Sequence, residues 1–182
     1  MSNPLDLEKK IRKIRDHVNE YPDFPKPGVL FRDVFSVFQN AELVAMLREV
    51  LIAFATQIQP PVECVVGIDA RGFLLAPFIA LELEVPFVPV RKKGKLPGKV
   101  ALVSYALEYG EANMEIQESS IKEGQRVLIV DDLLATGGSL GAACTLVKKL
   151  GGVVEACLVL MELTELKGRL NVPTNVISII KY

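Results

Sequence analysis

Residues 62–68, 86–90, 126–130 and 153–161 form runs that are aliphatic at nearly every position, and stretches with helical spacing lie between them. A strand that is apolar on both sides of its pleat has to be covered on both faces. Helix-flanked parallel sheets provide that cover. The alternation therefore predicts an α/β fold: a doubly wound, mainly parallel sheet flanked by helices, with residues 174–182 as its last strand. In sheets of this kind ligands sit beyond the carboxyl ends of the strands. The chemistry should be carried by the turns that follow the aliphatic runs.

The segment before the sheet reads differently. Leu7, Ile11, Ile14 and Val18 recur at helical spacing, then Tyr21-Pro-Asp-Phe-Pro-Lys-Pro-Gly28 follows. Three prolines there forbid a regular helix or a central strand, so the stretch is expected to be a semi-rigid strap on which Tyr21, Phe24 and Phe31 pack. Asn40 is placed to cap a helix running through Leu43, Leu47, Val50, Leu51 and Phe54. At 182 residues the chain is expected to be one domain.

Composition narrows the partners. The formal net charge is −1, so no global basic field draws in nucleic acid or an anionic membrane, and an anionic ligand must be held by a local cluster of donors. Cys64, Cys144 and Cys157 have aliphatic neighbours and no metal-ligand spacing, which makes them small buried hydrophobes. His17 is the chain's one histidine, so a histidine triad or histidine zinc site is excluded. Residues 1–20 lack the apolar core of a signal peptide, and no apolar run is long enough to span a bilayer, so a cytoplasmic location is expected.

The most informative stretch is Val127-Leu-Ile-Val-Asp-Asp-Leu-Leu-Ala-Thr-Gly-Gly-Ser-Leu140. A buried strand runs into two acids and then into a Thr-Gly-Gly-Ser turn that opens a helix. The glycines let backbone N–H groups converge, the helix N-terminus adds partial positive charge, and Thr136 and Ser139 add hydroxyls. No lysine follows the glycines, so this is not a Walker loop, and Gly137, Gly138 and Gly141 lack dinucleotide spacing. Asp131 and Asp132 would repel a bare phosphate. They suit a sugar phosphate, whose cis hydroxyls they can accept while the loop holds the 5′-phosphate. As mere helix caps, two adjacent acids at a buried strand end would lack a polar partner.

Two further segments are unusual. Gly67-Ile-Asp-Ala-Arg-Gly-Phe73 ends a strand in a short turn with Arg71 as a bidentate anion donor. Arg91-Lys-Lys-Gly-Lys-Leu-Pro-Gly-Lys99 packs five basic residues into nine positions. Taken alone it is either a solvated hairpin tip or a lid whose cations close over an anion about glycine hinges.

The strand, acid pair and Thr-Gly-Gly-Ser turn resemble the signature of the type I phosphoribosyltransferases. Arg91-Lys-Lys-Gly-Lys-Leu-Pro-Gly98, Ser104-Tyr-Ala-Leu-Glu-Tyr-Gly110, Phe24-Pro-Lys-Pro-Gly-Val-Leu-Phe-Arg-Asp33 and Leu163-Thr-Glu-Leu-Lys-Gly168 resemble the members of that family that act on adenine. The match covers nearly the whole chain, and the family tolerates Ala70 before the arginine. The resemblance implies transfer of phosphoribose from phosphoribosyl pyrophosphate to adenine in purine salvage, giving AMP and pyrophosphate. It implies a hood over residues 1–33, a core over 34–182 and a mobile lid near 91–112.

It also implies site residues. Leu30 reads adenine through its backbone, Arg32 reaches the other side of the ring, and Phe31 and Leu133 form apolar walls. Asp131, Asp132, Ala135, Thr136, Gly137, Gly138 and Ser139 hold the sugar phosphate. Arg71, Arg91, Lys92 and Lys95 meet the pyrophosphate, Glu108 handles the base proton, and Tyr109 orders the lid. Mg²⁺ is carried by the substrate, with no metal cage of protein ligands, and a homodimer is expected. A phosphoribosyltransferase for another base and a non-catalytic phosphoribosyl pyrophosphate sensor are the alternatives. The missing second domain, the basic segment and Glu108 argue against the sensor.

Overall fold

The computed structural model describes residues 4–106 and 111–182. The chain divides into two compact units, Met1–Ala53 and Phe54–Tyr182. The first extends beyond the hood expected over residues 1–33.

In the first unit, α1 (Pro4–Arg15) buries Ile14 and ends three residues before Val18, which is buried outside the helix. Lys10 bridges to Glu49 and Lys13 to Glu42, both on α3 (Ala41–Ala55). The proline strap is a hairpin: β1 (Asn19–Pro22) pairs antiparallel with β2 (Leu30–Asp33). Two strands make only edges, where Pro22 need not interrupt a ladder on both sides. Phe24 meets Phe31 edge-on, with ring centroids 5.0 Å apart. A short helix, α2 (Phe35–Phe38), follows, and Asn40 caps α3 as expected: its Oδ1 accepts from the N–H groups of Glu42 (2.9 Å) and Leu43 (3.3 Å).

The second unit is the sheet. Its strands are β3 (Cys64–Ile68), β4 (Phe87–Lys92), β5 (Val100–Ala106), β6 (Glu111–Gln117), β7 (Arg126–Leu134), β8 (Val153–Glu162) and β9 (Val176–Lys181). They lie in the order β5-β6-β4-β3-β7-β8-β9. The run from β4 to β9 is parallel, and β5 and β6 add an antiparallel ribbon at one edge. Helix α5 (Gly138–Lys149) covers one face, burying Leu140, Ala143, Cys144 and Val147 against Cys64, Val66, Ile129 and Cys157. Helix α4 (Gly72–Glu82) covers the other: a side chain at Gly67, of opposite parity to Val66, would press on Ala76 of α4. From β3 the chain turns through α4 towards β4, and from β7 it turns through α5 towards β8. The direction of winding therefore reverses between β3 and β7, where open α/β sheets bind ligands.

All three cysteines are buried and unbridged. Burial pushes the Cys64 thiol up to about 11, the environment of an inert core thiol. His17 is exposed, with Nδ1 2.8 Å from the Lys13 carbonyl.

Candidate active site

Strand β7 does not stop at the acids. It continues to Leu134, so Asp131 and Asp132 lie inside the ladder, with Asp131 opposite Val159 of β8. The sequence led us to expect the strand to end before them. Strand geometry aims the pair, and the phosphate turn begins only at Ala135. Asp132 is 2 % exposed, and its Oδ2 lies 3.1 Å from Arg71 Nε. Burial pushes the carboxyls of both acids above the ordinary range. The neighbouring Asp132 charge raises Asp131 further, whereas Arg71 offsets part of the rise at Asp132.

Beyond them, Gly137 is the N-cap of α5, with a left-handed φ of +84°. That conformation turns the chain so that the first N–H groups of α5, which have no partner within the helix, face the cleft. The wall behind the turn is the segment after β8, where 3₁₀ turns run over Thr164–Leu166 and Gly168–Asn171. Asn171 Nδ2 donates to the Thr136 carbonyl at 2.8 Å. A Cβ on Gly137 would stand 2.2 Å from the Gly168 carbonyl oxygen, and one on Gly168 2.1 Å from that of Ala135. The two glycines are required because two backbone segments touch there. Arg169 fixes this wall with a two-pronged bond from Nε and Nη2 to the buried Glu162 carboxylate (2.6 and 2.7 Å).

The turn after β3 completes the cleft. Its Asp69–Ala70 peptide is cis, and Gly72 lets α4 start against β7, since a Cβ there would lie 2.6 Å from the Val130 carbonyl oxygen. A cavity of about 250 Å³ is lined by Asp69, Ala70 and Arg71 on one side and by residues 131–140 on the other. Nine residues singled out in the sequence thus meet in one place: Arg71, Asp131, Asp132, Leu133, Ala135, Thr136, Gly137, Gly138 and Ser139.

The other expectations divide. Arg71, expected as a bidentate anion donor, has its Nε beside Asp132 Oδ2. Arg91 was expected on pyrophosphate as well. Its Nε donates to Asp69 Oδ2 at 2.9 Å, Nη1 to the Lys95 carbonyl at 3.3 Å, and its guanidinium lies 5.7 Å from the centre of the Phe73 ring. Lys92 and Lys95 are exposed at the end of β4 and in the turn after it. Leu30, Phe31 and Arg32 lie on the hairpin of the first unit, where Arg32 Nε is 3.2 Å from Glu20 Oε1. Glu108 and Tyr109 lie outside the described residues. Three residues the sequence reading passed over belong to the surroundings: Asp69 holds Arg91, Asn171 braces Thr136, and the Tyr105 hydroxyl is 3.5 Å from Ser139 Oγ. Asp69 and Tyr105 lie within the Gly67–Phe73 and Ser104–Gly110 segments, where other residues drew the reading, and Asn171 stands in no pattern that separates it from an ordinary polar residue.

A parallel sheet that delivers two acids and a glycine turn to a helix N-terminus at its switch point defines a sugar-phosphate-binding α/β enzyme. Comparison with known proteins agrees. The phosphoribosyl transferase domain family matches residues 42–182. Adenine phosphoribosyltransferase of Drosophila pseudoobscura pseudoobscura is 50 % identical over 178 residues, covering 98 % of each chain. The structure of adenine phosphoribosyltransferase from Thermoanaerobacter pseudethanolicus superposes with a TM-score of 0.90 at 43 % identity, covering 94 % of this chain and 99 % of that one. That of the Saccharomyces cerevisiae enzyme, in complex with an imino-altritol bisphosphate and adenine, gives 0.89 at 38 % identity with the same coverage. The chain belongs to the phosphoribosyltransferase family, among the adenine phosphoribosyltransferases.

Proposed function

We propose that this enzyme transfers the 5-phosphoribosyl group of phosphoribosyl pyrophosphate to adenine, giving AMP and pyrophosphate in purine salvage. The observation that carries the reading is the pairing of Asp131 and Asp132 with the Thr136–Ser139 cradle in one cleft. The full-length likeness to adenine phosphoribosyltransferases supports the choice of base.

The α5 N-terminus, with the hydroxyls of Thr136 and Ser139, holds the 5′-phosphate, and Asp131 and Asp132 accept hydrogen bonds from the two ribose hydroxyls. Pyrophosphate lies towards Arg71, with Lys92 and Lys95 as further cations and Arg91 fixing the turn through Asp69. The bond from C1′ to pyrophosphate breaks as the bond from C1′ to the base nitrogen forms, and charge accumulates on the leaving oxygens. Arg71 and Lys95 stabilise that charge. Adenine is read by the N–H and C=O of Leu30, with Arg32 on its other side and Phe31 as an apolar wall. A base with reversed polarity on that edge would leave buried groups unpaired, at about 1–3 kcal/mol each. Glu108 holds the base and takes up its proton, supported by its neighbour in sequence, Tyr109.

Among the described residues no group of three or more His, Cys, Asp or Glu could hold a metal ion. The buried Oδ2 of Asp132 has the Arg71 ion pair at 3.1 Å and no hydrogen bond besides it. That donor set fits Mg²⁺ bound mainly by substrate oxygens and water. Such an ion supplies positive charge against the leaving pyrophosphate. We propose further that the enzyme is a cytoplasmic homodimer. Among the described residues no helix is long and apolar enough to cross a membrane.

Pyrophosphate release with Mg²⁺ and phosphoribosyl pyrophosphate, compared across adenine, hypoxanthine, guanine, xanthine and orotate, tests the assignment. Adenine should lead by at least about tenfold, the equivalent of one mispaired buried group. Equal or faster release with another base would overturn the choice.

A further inference from the structure

The turn joining β4 to β5 is fastened by two side chains of β6: Gln117, whose Nε2 donates to the Pro97 carbonyl at 3.1 Å, and above all Glu115. Glu115 of β6 is 2 % exposed, although it is an acid in the middle of a strand. Its Oε1 accepts from the N–H groups of Lys95 and Leu96, both at 2.7 Å, and its Oε2 from that of Gly94 at 2.9 Å. A buried carboxylate is costly unless its lone pairs are satisfied, and three convergent donors satisfy it. Burial by itself would raise this carboxyl; the three N–H groups and Arg91 outweigh that and hold it below the ordinary range, so it is an anion at neutral pH.

The same turn is held from its other side. Arg91 stands opposite Glu115 in the β4–β6 register, donates to the Lys95 carbonyl at 3.3 Å, and reaches Asp69 of the β3 turn. Both backbone groups of Lys95 are therefore engaged. A continuous chain of contacts runs from Glu115 through Lys95 and Arg91 to the turn that carries Arg71. Gly94 and Gly98 have left-handed φ values of +81° and +78°, which shape this fixed turn. At residues 94–96 that anchorage takes the place of the free hinge expected from the glycines.

We propose that Glu115 is a positioning residue: its buried carboxylate sets the backbone of Lys95 against the pyrophosphate turn, so that the Lys95 cation meets the departing pyrophosphate already in place. The inference rests on the role given to Lys95 above. Its value lies in preorganisation, because a cation that must first be ordered gives part of its stabilisation back.

A double-mutant cycle tests it. In Glu115→Gln one oxygen remains for two donors, and the amide NH₂ opposes the third N–H. The variant should lose about 10- to 100-fold in kcat, the scale of a small misplacement of a catalytic group. AMP affinity, which involves no pyrophosphate, should be unchanged. In a Lys95→Ala background the same substitution should cost nothing further. Full kcat in folded Glu115→Gln, additive losses in the double variant, or a Lys95→Ala enzyme with normal turnover would each overturn the proposal. Glu115→Asp, one methylene short of the turn, carries the cycle if Glu115→Gln does not fold, and failure of both to fold would make the carboxylate a folding element and refute the role. A wild-type protein without base-dependent pyrophosphate release would instead sink the functional reading itself.

Discussion

Gly137→Ala adds one carbon at the tightest point of the phosphate turn. The left-handed φ of +84° costs an L side chain about 1–2 kcal/mol. The new Cβ would stand 2.2 Å from the Gly168 carbonyl oxygen and 3.0 Å from its carbon. That wall cannot withdraw easily, because Arg169 clamps it to buried Glu162 and to the Val176 carbonyl. The turn has to yield instead, breaking the Asn171–Thr136 hydrogen bond at a further cost of about 0.5–1.5 kcal/mol. The total is about 1.5–3.5 kcal/mol, roughly 10- to 300-fold in an equilibrium constant. If the turn moves, the loss appears in affinity for phosphoribosyl pyrophosphate; if it holds, it appears as a lower Tm. Calorimetric titration together with thermal unfolding separates the two, and Gly137→Val, with a branched Cβ, should abolish binding. A Gly137→Ala protein with unchanged Tm and unchanged affinity would refute the reasoning.

Burial raises the carboxyls of Asp131 and Asp132 above the ordinary range, so in the proposed role, as anions accepting from the sugar hydroxyls, they should give full affinity for phosphoribosyl pyrophosphate above their raised values and lose it as pH drops through them, with protons released on binding in that window. Titrations in buffers of different ionisation enthalpy should show that release; its absence would mean the pair is already ionised or does not touch the sugar. Stability of the free enzyme should move the other way. The raised carboxyls favour the fold at low pH, and that contribution is lost as pH rises through their folded values. Glu108→Gln should slow single-turnover chemistry by about 10²–10⁴-fold, and Glu108→Leu by more, while phosphoribosyl pyrophosphate binds normally. Wild-type chemistry in both variants would reduce Glu108 to a solvated acid.

What could be seen in the sequence, and what could not, follows from where information resides. The aliphatic runs and the acid–glycine turn are side-chain patterns, and β3, β8, α5 and the cleft at their edge fell close to where those patterns put them, while β7 ran four residues further, to Leu134. The β5–β6 ribbon was missed although Asn113-Met-Glu-Ile-Gln117 alternates polar and apolar residues, and Glu115, on the polar side of that pattern, is nevertheless buried. An acid in a strand reads as a surface residue by default. Glu115 differs only because its partners are backbone N–H groups, which no residue identity announces. At Gly137 the sequence pointed to converging N–H groups, whereas the close approach of the Gly168 carbonyl behind the turn joins two segments far apart in sequence and leaves no mark in it. Arg71 and Arg91 were legible as cations, yet their pairing with Asp132 and Asp69 joins residues 61 and 22 positions apart.

The most direct test mixes the enzyme in excess with phosphoribosyl pyrophosphate, Mg²⁺ and adenine, and follows the products of a single turnover. Each sugar consumed should yield one AMP and one pyrophosphate, appearing at the same rate, with no pyrophosphate released when adenine is left out. Tight binding of phosphoribosyl pyrophosphate without formation of AMP would contradict transfer and leave a protein that only senses its ligand.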